Sequence, residues 1–180
     1  MKKLLILFAI LNVLACKEKT SESIVGLQFN DHKEINQFAN FDKVSDTTFY
    51  NDEIGYELSL LHLNNGKKDL VIFANIWNDS ENIRNYKILD TLTLSNLDEG
   101  EKLTIGYCAL DLRNKNNGNI IAIVENTDSK NMFITKIKDA WVANPNSQKI
   151  EQLKNIGEVD CFNAWYNGEE TKFNYDLLDD

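Results

Sequence analysis

The stretch that decides the fold is YELSLLHLNNGKKDLVIFANIW, residues 56–77. Two runs rich in Leu, Ile, Val and Phe flank an Asn-Asn-Gly-Lys turn. Asn65-Gly66 takes the positive φ values that a tight hairpin turn requires, and branched and aromatic residues favour the pleated surface of a strand. In the second run Leu70, Ile72, Ala74 and Ile76 face one way, and Val71, Phe73 and Trp77 the other. A strand that is apolar on both faces is a central strand. The spacing therefore predicts an antiparallel hairpin over 56–63 and 68–77.

The pattern continues outward from that hairpin. YKILDTLTLS (86–95) alternates, with Ile88, Leu92 and Leu94 inward, and NLDEGEK (96–102) is a turn. LTIGYCALD (103–111) reads as one strand carrying Cys108, and NKNNGN (114–119) as a second Asn-Gly turn. IIAIVENT (120–127) is apolar on both faces, and NMFITKIKDAWVA (131–143) forms a hairpin with it across Asp128-Ser129-Lys130. QKIEQL (148–153) reads as a strand, with one helical turn after Asn144-Pro145 as the alternative. GEVDCFNAWYNGEE (157–170) carries Cys161 and Trp165. Toward the N-terminus, NDHKEINQFANF (30–41) suits one short helix, with Asn30 or Asp31 as its cap and Ile35 and Phe38 spaced i, i+3. The expected fold class is all-β, mainly an antiparallel meander, with one short N-terminal helix. Its apolar face needs a second layer or closure, which a sandwich, an open barrel or propeller-like sheets would supply.

The chain opens MKKLLILFAILNVLACKEKTSES (1–23). Lys2 and Lys3 precede an apolar run from Leu4 to Ala15. That run is too short for a membrane-spanning helix, which needs about 20 residues, and it matches the apolar region of a secretory signal. Val13-Leu14-Ala15-Cys16 resembles the lipobox of bacterial membrane lipoproteins, whose type II signal peptide ends at the cysteine; the resemblance covers residues 1–16. It implies removal of residues 1–15, a diacylglycerol thioether and palmitate-type acylation on Cys16, and a tether over 16–23 ahead of a single β-rich domain over 24–180. Several acyl chains, at about 0.8 kcal/mol per buried methylene, hold a protein on a membrane stably. Lys17 follows the cysteine where an Asp would signal inner-membrane retention, so the outer membrane is favoured. Periplasmic face and cell surface stay open as alternatives.

Removal of the signal takes Lys2 and Lys3 with it and moves the formal net charge from −9 to −11. That acidity argues against nucleic acid, which is bound by neutralising phosphates with Lys and Arg. It suits a soluble envelope domain and would also suit a cationic protein partner. With Cys16 acylated, the three cysteines leave one pair, Cys108 and Cys161. Export places them in an oxidising compartment, and a disulfide between them is expected.

No Gly-x-Ser-x-Gly elbow, P-loop, His-Glu-x-x-His helix or dinucleotide glycine fingerprint is present in the sequence. The two histidines, His32 and His62, read as surface or hairpin-end residues rather than bases. A zinc site would need carboxylates beside them. NKNNGN fails the calcium-loop spacing, because counting from Asn114 its glycine falls at position 5 and not 6. Asp98, Glu99 and Glu101 in NLDEGEK read as a solvated turn, with a weak cation site as the alternative. Trp77, Trp141, Trp165, Tyr107 and Tyr166 read as core aromatics rather than a sugar-binding face. The cadence DAWVANPNSQKIEQL…VDCFNAWYNG resembles small extracytoplasmic β proteins with no activity attached to them; the likeness spans about residues 137–168.

The sequence thus points to a membrane-anchored extracytoplasmic lipoprotein with a non-catalytic binding or scaffolding β domain and no cofactor. One alternative is an envelope inhibitor or immunity lipoprotein acting on a basic enzyme. In outline the chain is similar to the periplasmic lysozyme inhibitors, although none of their motifs is present. Another is a glycan-active enzyme working through carboxylates.

Overall fold

The structure is a computed structural model that describes residues 23–51, 55–95, 97–110, 118–125, 130–134, 136–164 and 166–167. It is built almost wholly of antiparallel strands. In chain order these are β1 (Gln28–Phe29), β2 (Asp42–Asn51), β3 (Tyr56–Asn64), β4 (Lys68–Asn78), β5 (Arg84–Ser95), β6 (Glu101–Ile105), β7 (Cys108–Ala109), β8 (Ile120–Glu125), β9 (Phe133–Ile134), β10 (Ile137–Asn144), β11 (Lys149–Gln152) and β12 (Asp160–Phe162). They form three sheets, ordered β1-β5-β4-β3-β2, β11-β10-β8-β6 and β7-β12-β9.

The first sheet is a meander of successive hairpins with β1 added at its far edge. The turn joining β3 to β4 is fixed by its own side chains. Asn65 Oδ1 accepts from the backbone N–H groups of Lys67 and Lys68, while Gly66 adopts φ +80°. The resulting register sets Asn64 opposite Asp69 and His62 opposite Val71. As expected, β4 has two apolar faces. Leu70, Ile72, Ala74 and Ile76 join one cluster, and Val71 and Phe73 another. Trp77 departs from that reading and lies exposed at the strand end.

A bulge changes the reading of β5. Phe73 pairs with Asp90 and Ala74 with Ile88, which leaves Leu89 as an extra residue. An extra residue reverses the side-chain alternation beyond it. Ile88 accordingly packs with Leu70 and Ile72, whereas Leu92 and Leu94 pack on the opposite face with Leu89. The three residues expected on one face are divided by this single insertion.

The segment ahead of β2 covers one face of the first sheet. Phe29, Ile35 and Phe38 are buried against Leu61, Leu63, Ile72 and Ile88, and Phe29 stacks on Tyr86 with ring centroids 5.0 Å apart. Where a short helix was expected over 30–41, the chain makes a three-residue 3-10 turn, His32–Glu34, capped by Asp31 through a bond from Lys33 N. Beyond it the chain continues in turns, closed by Phe38 N–H on the Ile35 carbonyl and Phe41 N–H on the Phe38 carbonyl, and Ile35, Phe38 and Phe41 pack onto the sheet.

The opposite face packs on the second sheet. Leu58, Leu60, Val71, Phe73 and Leu89 meet Leu103, Ile105, Ile121, Ile123 and Ala143, which makes a shared apolar layer between two sheets. The sheets also approach at both edges. Ile150 N–H donates to Asp90 Oδ2 at 2.9 Å, joining β11 to β5. At the other edge Gly106, after β6, lies against Thr47 of β2. A Cβ at Gly106 would sit 2.8 Å from the Cβ of Thr47, and its φ is +77°. Both the contact and the backbone conformation exclude a side chain, and the conformation alone costs a non-glycine residue ~1–2 kcal/mol. Gly106→Ala is therefore expected to lower stability by more than about 2 kcal/mol in urea unfolding; an unchanged midpoint would show that the β2 edge is not held there.

Gly106 also breaks the strand expected over 103–111. β6 ends at Ile105, and Cys108–Ala109 pairs in the third sheet instead. The strand expected over 131–143 divides likewise, with Phe133–Ile134 in the third sheet and Ile137–Asn144 in the second. The third sheet is thus assembled from two short excursions between strands of the second, β7 and β9, and from β12, which follows β11. It covers that sheet's outer face, where Ile120, Ala122, Val124 and Ala140 pack with Cys108, Ile134, Val159 and Cys161. QKIEQL contributes β11 as a strand, paired along β10. Part of the turn expected over 128–130, and most of NKNNGN, lie outside the described residues.

Candidate functional site

Two positions break the apolar face that looks into the space between the first two sheets. Leu58, Leu60, Val71 and Phe73 on that face are fully buried, yet their neighbours are His62, 5% exposed, and Asp69, 8% exposed. His62 and Asp69 are diagonal neighbours across the β3–β4 hairpin, next to its turn. His62 Nε2–H donates to Asp69 Oδ1 at 2.6 Å, and Asn64 Nδ2 donates to the same oxygen at 2.8 Å. Asn64 Oδ1 in turn accepts from Gly66 N–H at 2.6 Å. The hairpin turn thereby orients Asn64, Asn64 orients the carboxylate, and the carboxylate fixes both the tilt and the tautomer of the imidazole.

This network opens on a cavity of about 510 Å³ at the end of the gap between the sheets. Its apolar walls are Val44, Leu97 and Leu103, and its polar walls include His62, Asn64, Asp69, Lys67 and Lys102. Val44 is the extra residue of a bulge in β2, where pairing steps from Lys43 to Ser45. Leu103 lies on β6, on the facing sheet. A few fixed polar groups set among apolar walls, in a space of this size, is the usual make-up of a small-molecule site. With Nε2 held by Asp69, the proton of the neutral ring sits on Nε2.

The other residues singled out in the sequence fall elsewhere. Cys108 and Cys161 form a disulfide between directly paired strands, with both residues 1% exposed. Cys16 and Trp165 lie outside the described residues. His32 is buried rather than superficial; its Nε2–H donates to the carbonyl of Phe41 at 3.0 Å, closing the covering segment on itself. His62 lies at the hairpin end, as expected, but is buried. Trp141 packs into the layer between the sheets, whereas Trp77 and Tyr107 are exposed, against the reading of all five aromatics as core. Among the described residues, no group of three His, Cys, Asp or Glu side chains is arranged to hold a metal ion.

The acidic turn NLDEGEK has its cation from within the chain. Lys138 of β10 reaches Asp98 at 2.8 Å and also bonds Glu101. The Lys138 ammonium, by hydrogen bond and charge, holds the Asp98 carboxyl below its ordinary value and has its own pKa raised in return. A depressed carboxylate pKa adds stability above the unfolded value, and that contribution disappears as pH falls through the folded one. Lys138→Met should move the Asp98 carboxyl titration upward when followed by carbon NMR. A titration that stays in place would dissociate the two groups.

Comparison with protein-family models, curated proteins and solved structures finds no match for this chain.

Proposed function

We propose that this chain is a membrane-anchored extracytoplasmic lipoprotein whose β domain binds a small ligand, without catalysis, in the cavity beside His62. The N-terminal order of lysines, apolar run, Val-Leu-Ala-Cys and polar tether supports the anchor on Cys16. The Cys108–Cys161 bridge supports an oxidising, extracytoplasmic compartment.

The observation that carries the binding reading is the buried polar pair on an otherwise apolar face. Replacing a buried ionisable pair by hydrophobic residues of similar volume is often neutral or stabilising, so stability alone gives no reason for His and Asp at these positions. Removing one partner is different, because the other is left buried and unpaired; such changes cost ~3–5 kcal/mol for fully buried pairs. His62→Leu combined with Asp69→Leu is therefore expected to unfold at or above the wild-type urea midpoint, and Asp69→Leu alone well below it. Native mass spectrometry of protein extracted from its own membrane should show a bound small molecule on the wild type and none on the double variant. A double variant that is strongly destabilised would make the pair a structural element and remove the argument for a site. Palmitate labelling tests the anchor separately: label is expected on the wild type and not on Cys16→Ser.

A further inference from the structure

We infer that the cavity takes a small amphipathic molecule whose head group donates a hydrogen bond, an alcohol or an amine on a short apolar body. The inference rests on the binding reading above and names the ligand class for that cavity. It is carried by the second oxygen of Asp69. Oδ1 accepts from both His62 Nε2–H and Asn64 Nδ2–H. Oδ2 has no bond to any of the described residues, and the one ion-pair contact of Asp69 among them is His62. The residue is 8% exposed. A carboxylate oxygen taken this far out of water and given no donor is costly. Among the described residues, the side-chain polar atom that is both sealed off and unbonded is Ser59 Oγ. Asp69 Oδ2 is therefore not sealed, and it is open to a molecule entering the cavity that Asp69 lines.

An ionised carboxylate only accepts, so the missing partner is an O–H or an N–H. His62 and Asn64 already direct their N–H groups at Oδ1, and the further donor has to come from outside the network. Water alone would meet Oδ2 but leave the apolar walls wet. Val44, Leu97 and Leu103 line the same cavity, and an alkyl group attached to the donor covers them. Val44 is 57% exposed, and the bulge in β2 brings it to the cavity as an apolar side chain without a cover. The volume of about 510 Å³ suits a molecule of several carbon atoms rather than a polymer.

The test is a titration of the full chain in phosphatidylcholine nanodiscs with butanol, butylammonium, methyl propyl ether and butyrate. It is read by NMR on the Asp69 carboxyl carbon and the Leu103 methyls. Butanol and the ether are isomers of nearly equal volume, and only butanol has a donor. Butanol or butylammonium is expected to shift both signals saturably, and the tighter of the two separates an alcohol from an amine. The ether should bind weaker than butanol by about tenfold or more, the scale of a hydrogen bond to a charged group. Butyrate should give no saturable shift. Asp69→Asn keeps an oxygen for His62 and Asn64 and turns an N–H toward the cavity, so it should abolish the preference for butanol over the ether. Should that variant not fold, Val44→Ala at the exposed bulge decides. It should weaken butanol by about threefold, for the apolar area removed, with an unchanged melting temperature and the preference over the ether kept. An ether or a butyrate that binds as tightly as butanol would overturn the inference, as would an Asp69 carbon unmoved at saturation or a Val44→Ala variant that binds butanol as the wild type does. If all four probes fail while the membrane-extracted protein still carries an adduct that the double variant lacks, the ligand class falls and the binding reading stands. If that adduct is missing as well, both fall.

Discussion

Replacing both bridge cysteines with serine is expected to destabilise the protein by about 4 kcal/mol. The cysteines are 53 residues apart, and closing a loop of that length in the unfolded chain corresponds to ~4 kcal/mol of chain entropy. The effect is not confined to the unfolded state. Cys108 and Cys161 are each 1% exposed and pack among Ile120, Val124, Ile134 and Val159. The bridge is also the covalent link between β7 and β12, strands of two and three residues that pair at only two positions. Reduction should therefore loosen the third sheet first and leave the meander of β2 to β5 folded. Hydrogen exchange after reduction should show lost protection at Ala109 and Phe162 before Phe73 and Leu61. A midpoint shift worth less than about 1 kcal/mol, or uniform loss of protection, would show that the bridge constrains neither state as argued.

Phe73→Ala should cost ~3–5 kcal/mol, the range for removing a large aromatic side chain from a packed core. Phe73 has no exposed surface and sits on the central strand, in the layer that joins the first sheet to the second. It also stacks with Phe49 of β2, ring centroids 6.1 Å apart. Its truncation would open a void between two sheets whose backbones are held by their own hydrogen bonds, so little collapse can relieve it. Phe73→Leu should lose substantially less, since most of the volume is kept. Urea unfolding of the two variants separates a cavity effect, in which they differ strongly, from a local aromatic preference, in which they would fall together.

Much of this architecture was legible because it follows from local rules. The Asn65-Gly66 turn and the two-faced strands at 68–77 and 120–125 each carry their meaning within a short window. The misreadings came from single residues whose effect is not local. Leu89 shifts the alternation of a strand that otherwise reads as regular, and Gly106 turns the chain from one sheet into another because Thr47 lies where its side chain would be. β2, with Asp42, Lys43, Asp46, Thr47 and Thr48, was not singled out at all; an edge strand exposed along much of its length carries little hydrophobic signal.

The candidate site was missed for a related reason. His62 reads in the sequence as a surface or hairpin-end residue, and Asp69 is not singled out there. Their relation needed only the hairpin register, since a turn that sets Asn64 opposite Asp69 puts His62 and Asp69 on one face. The sequence does hold that signal, as an ionisable residue on each strand of a hairpin interrupting a run of Leu, Val and Phe. The cavity itself was beyond reach, because Val44 and Leu103 come to it from other strands.

The placement of β12 between β7 and β9 bears on the order in which the molecule can be completed. The meander of the first sheet needs nothing beyond Ser95 except the neighbour that covers it. The third sheet has for its middle member the last of the described strands, so β7 and β9 have no native partner in it until β12 has been made. Cys108 accordingly has no native sulfur to meet until Cys161 has been synthesised. The first sheet can be settled while the strands that follow are still to come, and oxidation is the step that records the arrival of β12.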